Sequence, residues 1–406
     1  MDTSPSAMVG FPPTAASRIG PGNWSRLPWL RWSHLNRSRM LPNVAVWRGD
    51  GPVADLPEAP QDLGALPVVV AKDQAVHRLD AVLPALHCNA FVVIHRGRLV
   101  WERYWNGMLR EDRHMLASVS KSVCALVAGS LAAAGAIDLS RTLSTYVPET
   151  AATAIGGATL QQLMDMTAAI TRPEMSWRNP EIGGQDGGLY EALGLLPMRD
   201  GAPDSLSAMV AQRPRDPAAA GHGARFFYDN AQTEAVAWAL ARATGMDPAL
   251  LVQDLLWRHL GADRDAFIVV DRLGMPSLSG GVAMTARDLA RLGEVIRRGG
   301  AASSGRQLVP PAFLADLSGG GNRAHFAPTP YARDLPGGSY RSFWYLGHDE
   351  AGTMLANGRY GQRLWVSPRH ELVVAQFSSI PGPPPQPESQ VLAGIWRALL
   401  GAYASA

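Results

Sequence analysis

Two β-rich patterns at opposite ends of the chain constrain its fold more than any other feature. "AFVVIHRGRLVWERYW" (Ala90–Trp105) places two apolar, β-branched runs around Arg96-Gly97, the signature of a hairpin. "GQRLWVSPRHELVVAQFSS" (Gly361–Ser379) repeats that signature around Pro368-Arg369. From about residue 141 to 270 the patterns are mostly helical, including "TLQQLMDM" and "NAQTEAVAWALARATG", which runs into Gly245, a natural helix stop. "ESQVLAGIWRALLGAYA" reads as a closing amphipathic helix. Strands at both ends with helices between predict an α/β (α+β) fold: an antiparallel sheet built from both termini, flanked by helices and interrupted by an all-helical lobe. The expected segments are an N-terminal arm (1–64), an α/β lobe in two parts (65–140 and 271–406) and the helical lobe (141–270). The arm is rich in Pro, Trp and Arg without a sustained period, and reads as wrapped on the body.

Composition narrows the function. Hydrophobic residues make up 47% and charged residues 18%, which suits a globular chain rather than a disordered one. The net charge is +2, with both signs mixed and no basic stripe, so nucleic acid is not expected as a partner. Two cysteines, Cys88 and Cys124, are too few for a disulfide framework, and no CxxC or HExxH points to a metal or cofactor. The N-terminus has no charged n-region followed by an apolar h-region. The longest apolar run, "VCALVAGSLAAAGAI" (Val123–Ile137), is too short to span a bilayer and reads as a buried helix. A cytoplasmic enzyme without membrane attachment is the expectation.

The chain carries only two lysines, Lys72 and Lys121, among 37 basic residues. Lys121 sits in "ASVSKSVCAL", where Val119, Val123, Leu126, Val127 and Leu131 recur on one helix face and Gly135 offers a stop. Ser118 and Lys121 are three apart at the start of this helix, hence one turn apart on the same face. A serine hydroxyl becomes a useful nucleophile only when a base takes its proton. Lysine can be that base if desolvation depresses its pKa, whereas arginine does not deprotonate. The competing reading is a surface lysine on a helix turn.

Two further stretches add chemistry. "ARFFYDNAQTEAVAWAL" puts Tyr228 and Asn230 at the head of a helix, where Tyr228 could shuttle a proton and Asn230 could hold a carbonyl or the lysine. Each has a structural alternative: a core aromatic for Tyr228, a helix N-cap for Asn230. In "LANGRYGQRLWV", read as the start of a late strand, Gly358 and Gly361 allow close approach of backbone to ligand. A backbone N–H there, with that of Ser118, could form an oxyanion hole, the alternative being a glycine-relieved strand entry.

SxxK, YxN and a Gly-centred strand motif, in that order, resemble the serine β-lactamase-like and penicillin-binding-protein-like family, especially its class C branch. Within it the likeness is to 6-aminohexanoate-dimer hydrolases and related carboxylesterases. It extends from about residue 85 and rests on "SVSKS", "LQQLMDM", "ADRDAFIVVD", "GGVAMTARDLARLG", "FWYLG" and "GQRLWVSP". The resemblance implies an acylated Ser118, Lys121 as its base, Tyr228 protonating the leaving group, and Asn230 as the Asn of YxN. It places Ala356-Asn357-Gly358 at the Lys/His-x-Gly position, the Arg359 N–H in the oxyanion hole, and Trp344 lining the pocket. Ala356 replaces a cation that often contacts the carboxylate of β-lactams, and Arg359 is its candidate substitute. Trp177 is the candidate for a second pocket wall, in a stretch whose Asp186 and Tyr190 have no fixed register with the residues that bind a linear amide. The implied partner is a small ester or linear amide, with neither metal nor cofactor, and a homodimer is left open. Acyl transfer, β-lactamase or D-Ala-D-Ala carboxypeptidase activity, and an inactive sensor are the alternatives on the same fold. A conventional α/β-hydrolase is disfavoured, because no GxSxG occurs.

Overall fold

The two terminal hairpins meet in one sheet. The computed structural model describes residues 7–70, 75–173, 187–382 and 388–404. Its main sheet contains β1 (Cys88–His95), β2 (Arg98–Tyr104), β3 (Ser339–Arg341), β4 (Trp344–Leu346), β5 (Met354–Gly358), β6 (Gln362–Ser367) and β7 (Leu372–Ser378). The order is β2-β1-β7-β6-β5-β4-β3, with every neighbouring pair antiparallel. The β1–β7 pairing, with Val93 opposite Val374, joins the two ends of the chain. Arg96 (φ 52°) and Gly97 (φ 74°) turn the first hairpin in the left-handed region that a tight two-residue connection demands.

Helices cover both faces of the sheet, which is why β1, β6 and β7 are buried at every position instead of alternating. The principal helices are α1 (Val119–Ala133), α2 (Asn230–Thr244), α3 (Ala286–Arg297) and α4 (Ser389–Tyr403). Adjacent residues on β6 point to opposite sides. Leu364 faces Gly293 of α3, while Trp365 stacks on Trp396 of α4 with ring centroids 5.9 Å apart. Helix α1 packs on β5 and β6 and on α2. It is buried all round from Val119 to Gly129, including Ser120, Lys121 and Ser122, so the single apolar stripe expected from sequence understates its burial. Gly135 (φ 73°) follows its C-terminus, and α2 ends at Gly245 (φ 68°), as the glycine signals predict. None of the described helices is long and apolar enough to cross a membrane.

A second, smaller sheet explains what the N-terminal arm does. Asn43–Val46 pairs with Ala266–Val269, which pairs with Val282–Met284, which pairs with His114–Met115. The arm thus supplies an edge strand, a role that four residues without periodicity could not reveal. The strand reading of "LANGRYGQRLWV" also changes. Gly358 closes β5 and Gly361 lies in the reversal before β6, with Tyr360 (φ 66°) and Gly361 (φ 89°) both left-handed. The Asn357-Gly358 pair closes β5 instead of forming the turn, and the reversal falls on the next three residues, Arg359–Gly361.

At Gly293 helix α3 lies close against the sheet. A Cβ there would fall 2.4 Å from Val373 Cγ1 and 2.9 Å from Leu364 Cδ1. Gly293→Val is expected to destabilise the fold by about 1–3 kcal/mol through overpacking. Denaturant midpoints of the two proteins check this; an unchanged midpoint would mean that α3 can lift off the sheet without cost.

Candidate active site

The small sheet leads directly into the chemistry. After His114–Met115, the Leu116 N–H donates to Val282 O at 2.9 Å, Ala117 turns the chain with φ 46°, and Ser118 caps α1. The end of β5 lies against this turn. A Cβ on Gly358 would fall 2.6 Å from Leu116 O and 3.2 Å from Ser118 N. Gly358 has φ −124°, open to any residue, so close approach alone requires glycine here. The turn and the strand end therefore bring the backbone of residues 358–359 beside Ser118.

Lys121 is 1% exposed, which excludes the surface-lysine reading. Its Nζ lies 3.0 Å from Ser118 Oγ, 2.8 Å from Asn230 Oδ1 and 2.5 Å from Ser279 O. Burial pulls the amine down to about 7, against the opposing pull of Glu234 and Asp229. A neutral amine has two N–H donors and one lone pair. Asn230 Oδ1 and the Ser279 carbonyl can only accept from it, which leaves the lone pair for the Ser118 hydroxyl.

Buried carboxylates hold these partners in place. Asp229, not Asn230, is the N-cap of α2, its carboxylate accepting from Ala231 N at 2.8 Å. Arg213 Nε (3.0 Å) and Arg172 Nε (2.8 Å) bind the same carboxylate, and together they outweigh burial to keep it below the usual range. Glu234, one turn along α2, accepts from Ser277 Oγ, Ser279 N and Leu278 N. It thereby fixes the carbonyl of Ser279 that Lys121 meets. Tyr228 faces the Ser118 hydroxyl, and Lys121 Nζ sits 5.2 Å from its ring centroid. Burial pushes its phenol well above the usual value, so it keeps its proton at neutral pH.

Ser118, Tyr228, Asn230 and Arg359 open onto a cleft of about 820 Å³. Trp24, His34, Arg37 and Leu41 of the arm form part of its wall, a contribution that sequence reasoning missed along with Ser279 and Glu234. Gly358 instead borders a small adjoining recess. Trp344 departs from expectation. It is 0% exposed, belongs to the core under β4, and lines neither space. Tyr331 lines both spaces. Ala356 is buried within β5 and presents no charge. Tyr190 lines the cleft and accepts from Arg359 Nη1 at 3.3 Å, whereas Trp177 and Asp186 lie outside the described residues. Cys88 and Cys124 are buried free thiols.

The Beta-lactamase family matches residues 81–393. The chain belongs to the β-lactamase family. A 6-aminohexanoate-dimer hydrolase of Paenarthrobacter ureafaciens is 33% identical over 398 residues, covering 96% of each chain. A solved structure from Bacillus anthracis, provisionally assigned as a 6-aminohexanoate-dimer hydrolase, has a TM-score of 0.86 at 30% identity, covering 95% of this chain and 97% of that one. EstCE1, a hydrolase with promiscuous acyltransferase activity, has a TM-score of 0.60 at 16% identity, covering 78% and 95% of the two chains. The last likeness is one of fold alone. This β-lactamase-family chain is a hydrolase of that fold.

One constraint on this site is a backbone contact between Gly358 and the Ser118 turn. Gly358→Ala should leave the β-lactamase fold intact while lowering hydrolytic kcat/KM by at least about a hundredfold, because a misplacement near 1 Å costs that much. Steady-state kinetics with p-nitrophenyl butyrate and a circular dichroism spectrum check it; full activity would show that β5 need not touch the Ser118 turn.

Proposed function

We propose that the protein is a serine hydrolase that forms an acyl-enzyme on Ser118 and cleaves small carboxylic esters or short linear amides. One observation carries the reading: a buried amine held near neutrality lies 3.0 Å from the Ser118 hydroxyl. Ser118 Oγ passes its proton to Lys121 Nζ as it bonds to the substrate carbonyl carbon. The N–H groups of Ser118 and Arg359 meet the resulting oxyanion. Collapse breaks the bond to the leaving oxygen or nitrogen, which takes the Tyr228 proton, and Tyr228 is reprotonated from Lys121. Water then attacks the acyl carbon and gives its proton to Lys121 Nζ, the Oγ–carbon bond breaks, Ser118 Oγ takes that proton back, and the acid is released.

The choice of ester or linear amide is supported by the relatives named above and by the buried, uncharged Ala356. Without a cation on β5 at that position, the carboxylate of a β-lactam, fixed close to its reacting carbonyl by the ring, loses a charge-assisted hydrogen bond worth about 1.5–3 kcal/mol. Intact-mass measurement after exposure to p-nitrophenyl esters, linear ω-amino-acid amides and nitrocefin tests the whole proposal. The expected result is an acyl adduct on Ser118 from esters or amides. An adduct on another residue refutes it.

Ser118→Ala should lower kcat by a factor on the order of 10⁶. Lys121→Arg should be nearly as damaging as Lys121→Ala, since arginine keeps the charge but cannot give up its proton. Substantial acylation by the Arg variant would remove Lys121 as the base.

The pH profile follows from the amine. Below about 7 Lys121 is protonated and cannot accept the serine proton; above it the free base is present. Ester kcat/KM should therefore rise about tenfold per pH unit on the acid side and level off above neutrality. A flat profile between pH 5 and 8 would show that another group takes the proton.

A further inference from the structure

Among the described residues, two arginines in the cleft lack the partners that buried cations normally keep. Arg37, from the arm, is 3% exposed, and its Nε and Nη1 are buried without any hydrogen-bond partner. Arg359 Nε is buried and equally unpartnered, leaving a 3.3 Å bond from Nη1 to the Tyr190 hydroxyl. The other cleft arginines are different. Arg172 pairs with Asp229 and Arg225 with Asp216, whereas Arg37 and Arg359 meet no carboxylate among the described residues. None of the described cleft-lining residues is Asp or Glu.

The faces of both guanidinium groups are occupied. Arg37 lies 4.7 Å from the Trp24 ring centroid and Arg359 4.6 Å from that of Tyr360. Both line the same cleft and have the same two phenols, Tyr190 and Tyr360, among their neighbours. Each guanidinium lies over one aromatic ring, while Arg37 Nε and Nη1 and Arg359 Nε have no hydrogen-bond partner among the described residues. Burying a cation without a counter-charge is unfavourable, and a fold keeps two such groups together most readily where a ligand completes them. Burial lowers Arg37 only to about 10, so it remains charged at neutral pH.

We propose that Arg37 and Arg359 form an anion site that takes a carboxylate at the end of a short apolar chain of the substrate. Arg359 fixes the distance to the chemistry. Its backbone follows Gly358 beside Ser118 N, and its side chain reaches the anion site, so the carboxylate sits one arginine side chain from the reacting carbonyl. Leu41, Met115, Leu189, Leu193 and Leu195 give the same cleft an apolar wall suited to methylenes. A forked guanidinium matches a carboxylate through paired N–H bonds. The inference rests on the acyl-enzyme reading of this cleft and names the substrate class within it.

The carboxylate can belong to the acyl group or to the leaving group, and two matched pairs separate these sources. One pair is p-nitrophenyl hydrogen adipate and p-nitrophenyl methyl adipate; the other is N-acetyl-6-aminohexanoate and N-acetyl-6-aminohexanamide. In one pair the charged member should have a kcat/KM about ten- to a hundredfold higher than its neutral partner. Arg37→Met should bring that ratio close to one, and Arg37→Lys should restore part of it. Equal kcat/KM within both pairs, with Ser118 still acylated, would overturn the anion site and leave the acyl-enzyme reading intact. Calorimetric binding of hexanoate and hexanamide to Ser118→Ala protein needs no turnover. Hexanoate should bind at least about tenfold more tightly, and lose that advantage in the Arg37→Met/Ser118→Ala double variant. Equal binding of the two would overturn the proposal even if no ester were hydrolysed.

Discussion

A primary amine with almost no access to water is the constraint around which the structure is arranged. Lys121 is the first-turn lysine of a helix buried on every side, and the interior strips most of the stabilisation its charged form would have in water. The fold answers with acceptors from distant parts of the chain: Asn230 Oδ1, 109 residues away, and Ser279 O, 158 residues away. Both are acceptors that a neutral amine satisfies with its two hydrogens. Shifting either would leave a polar group unpaired or bring the amine's lone pair away from Ser118. Sheet, helical region and arm all contribute to keeping these atoms together.

The carboxylates that surround this amine act chiefly as positioning groups. Asp229 caps α2 and gathers Arg172 and Arg213, which ties the loops at 172 and 213 to the head of the helix that carries Asn230. Glu234 collects three donors from the 277–279 loop. Both negative charges also act on Lys121 and favour its protonated form. Desolvation still wins, and the amine ends near neutrality. That balance suits a base that must take a proton and later return it.

The proposed catalytic groups and the wall of the cleft they face are drawn from different parts of the chain. Ser118, Lys121, Tyr228 and Asn230 come from the body of the fold and are locked by its buried bonds. The cleft wall facing them is built partly from the arm, through Trp24, His34, Arg37 and Leu41. Packing supplies little polar satisfaction there: Trp24 Nε1, His34 Nδ1 and Arg37 Nε and Nη1 are buried without partners among the described residues. Burial together with its neighbours His114 and Arg37 keeps His34 well below its usual pKa, so it adds no further charge to that wall.

The sequence by itself determined the parts that depend on local order. Hairpins at Arg96-Gly97 and Pro368-Arg369, helix ends at Gly135 and Gly245, and the one-turn spacing of Ser118 and Lys121 all follow from short-range backbone chemistry. Tertiary structure decided what depends on separation in space. It buried Lys121 and moved its pKa, and made Asp229 rather than Asn230 the cap of α2. It withdrew Trp344 into the core, turned the chain between Gly358 and Gly361, and brought Ser279, Glu234 and the arm to the site. Burial and close backbone approach cannot be read from neighbours in sequence: Asn230 and Ser279 lie 109 and 158 positions from Lys121, and the Gly358 that touches the Ser118 turn comes from the other end of the chain. A motif can say which groups are able to react; only packing fixes their protonation state and what they face.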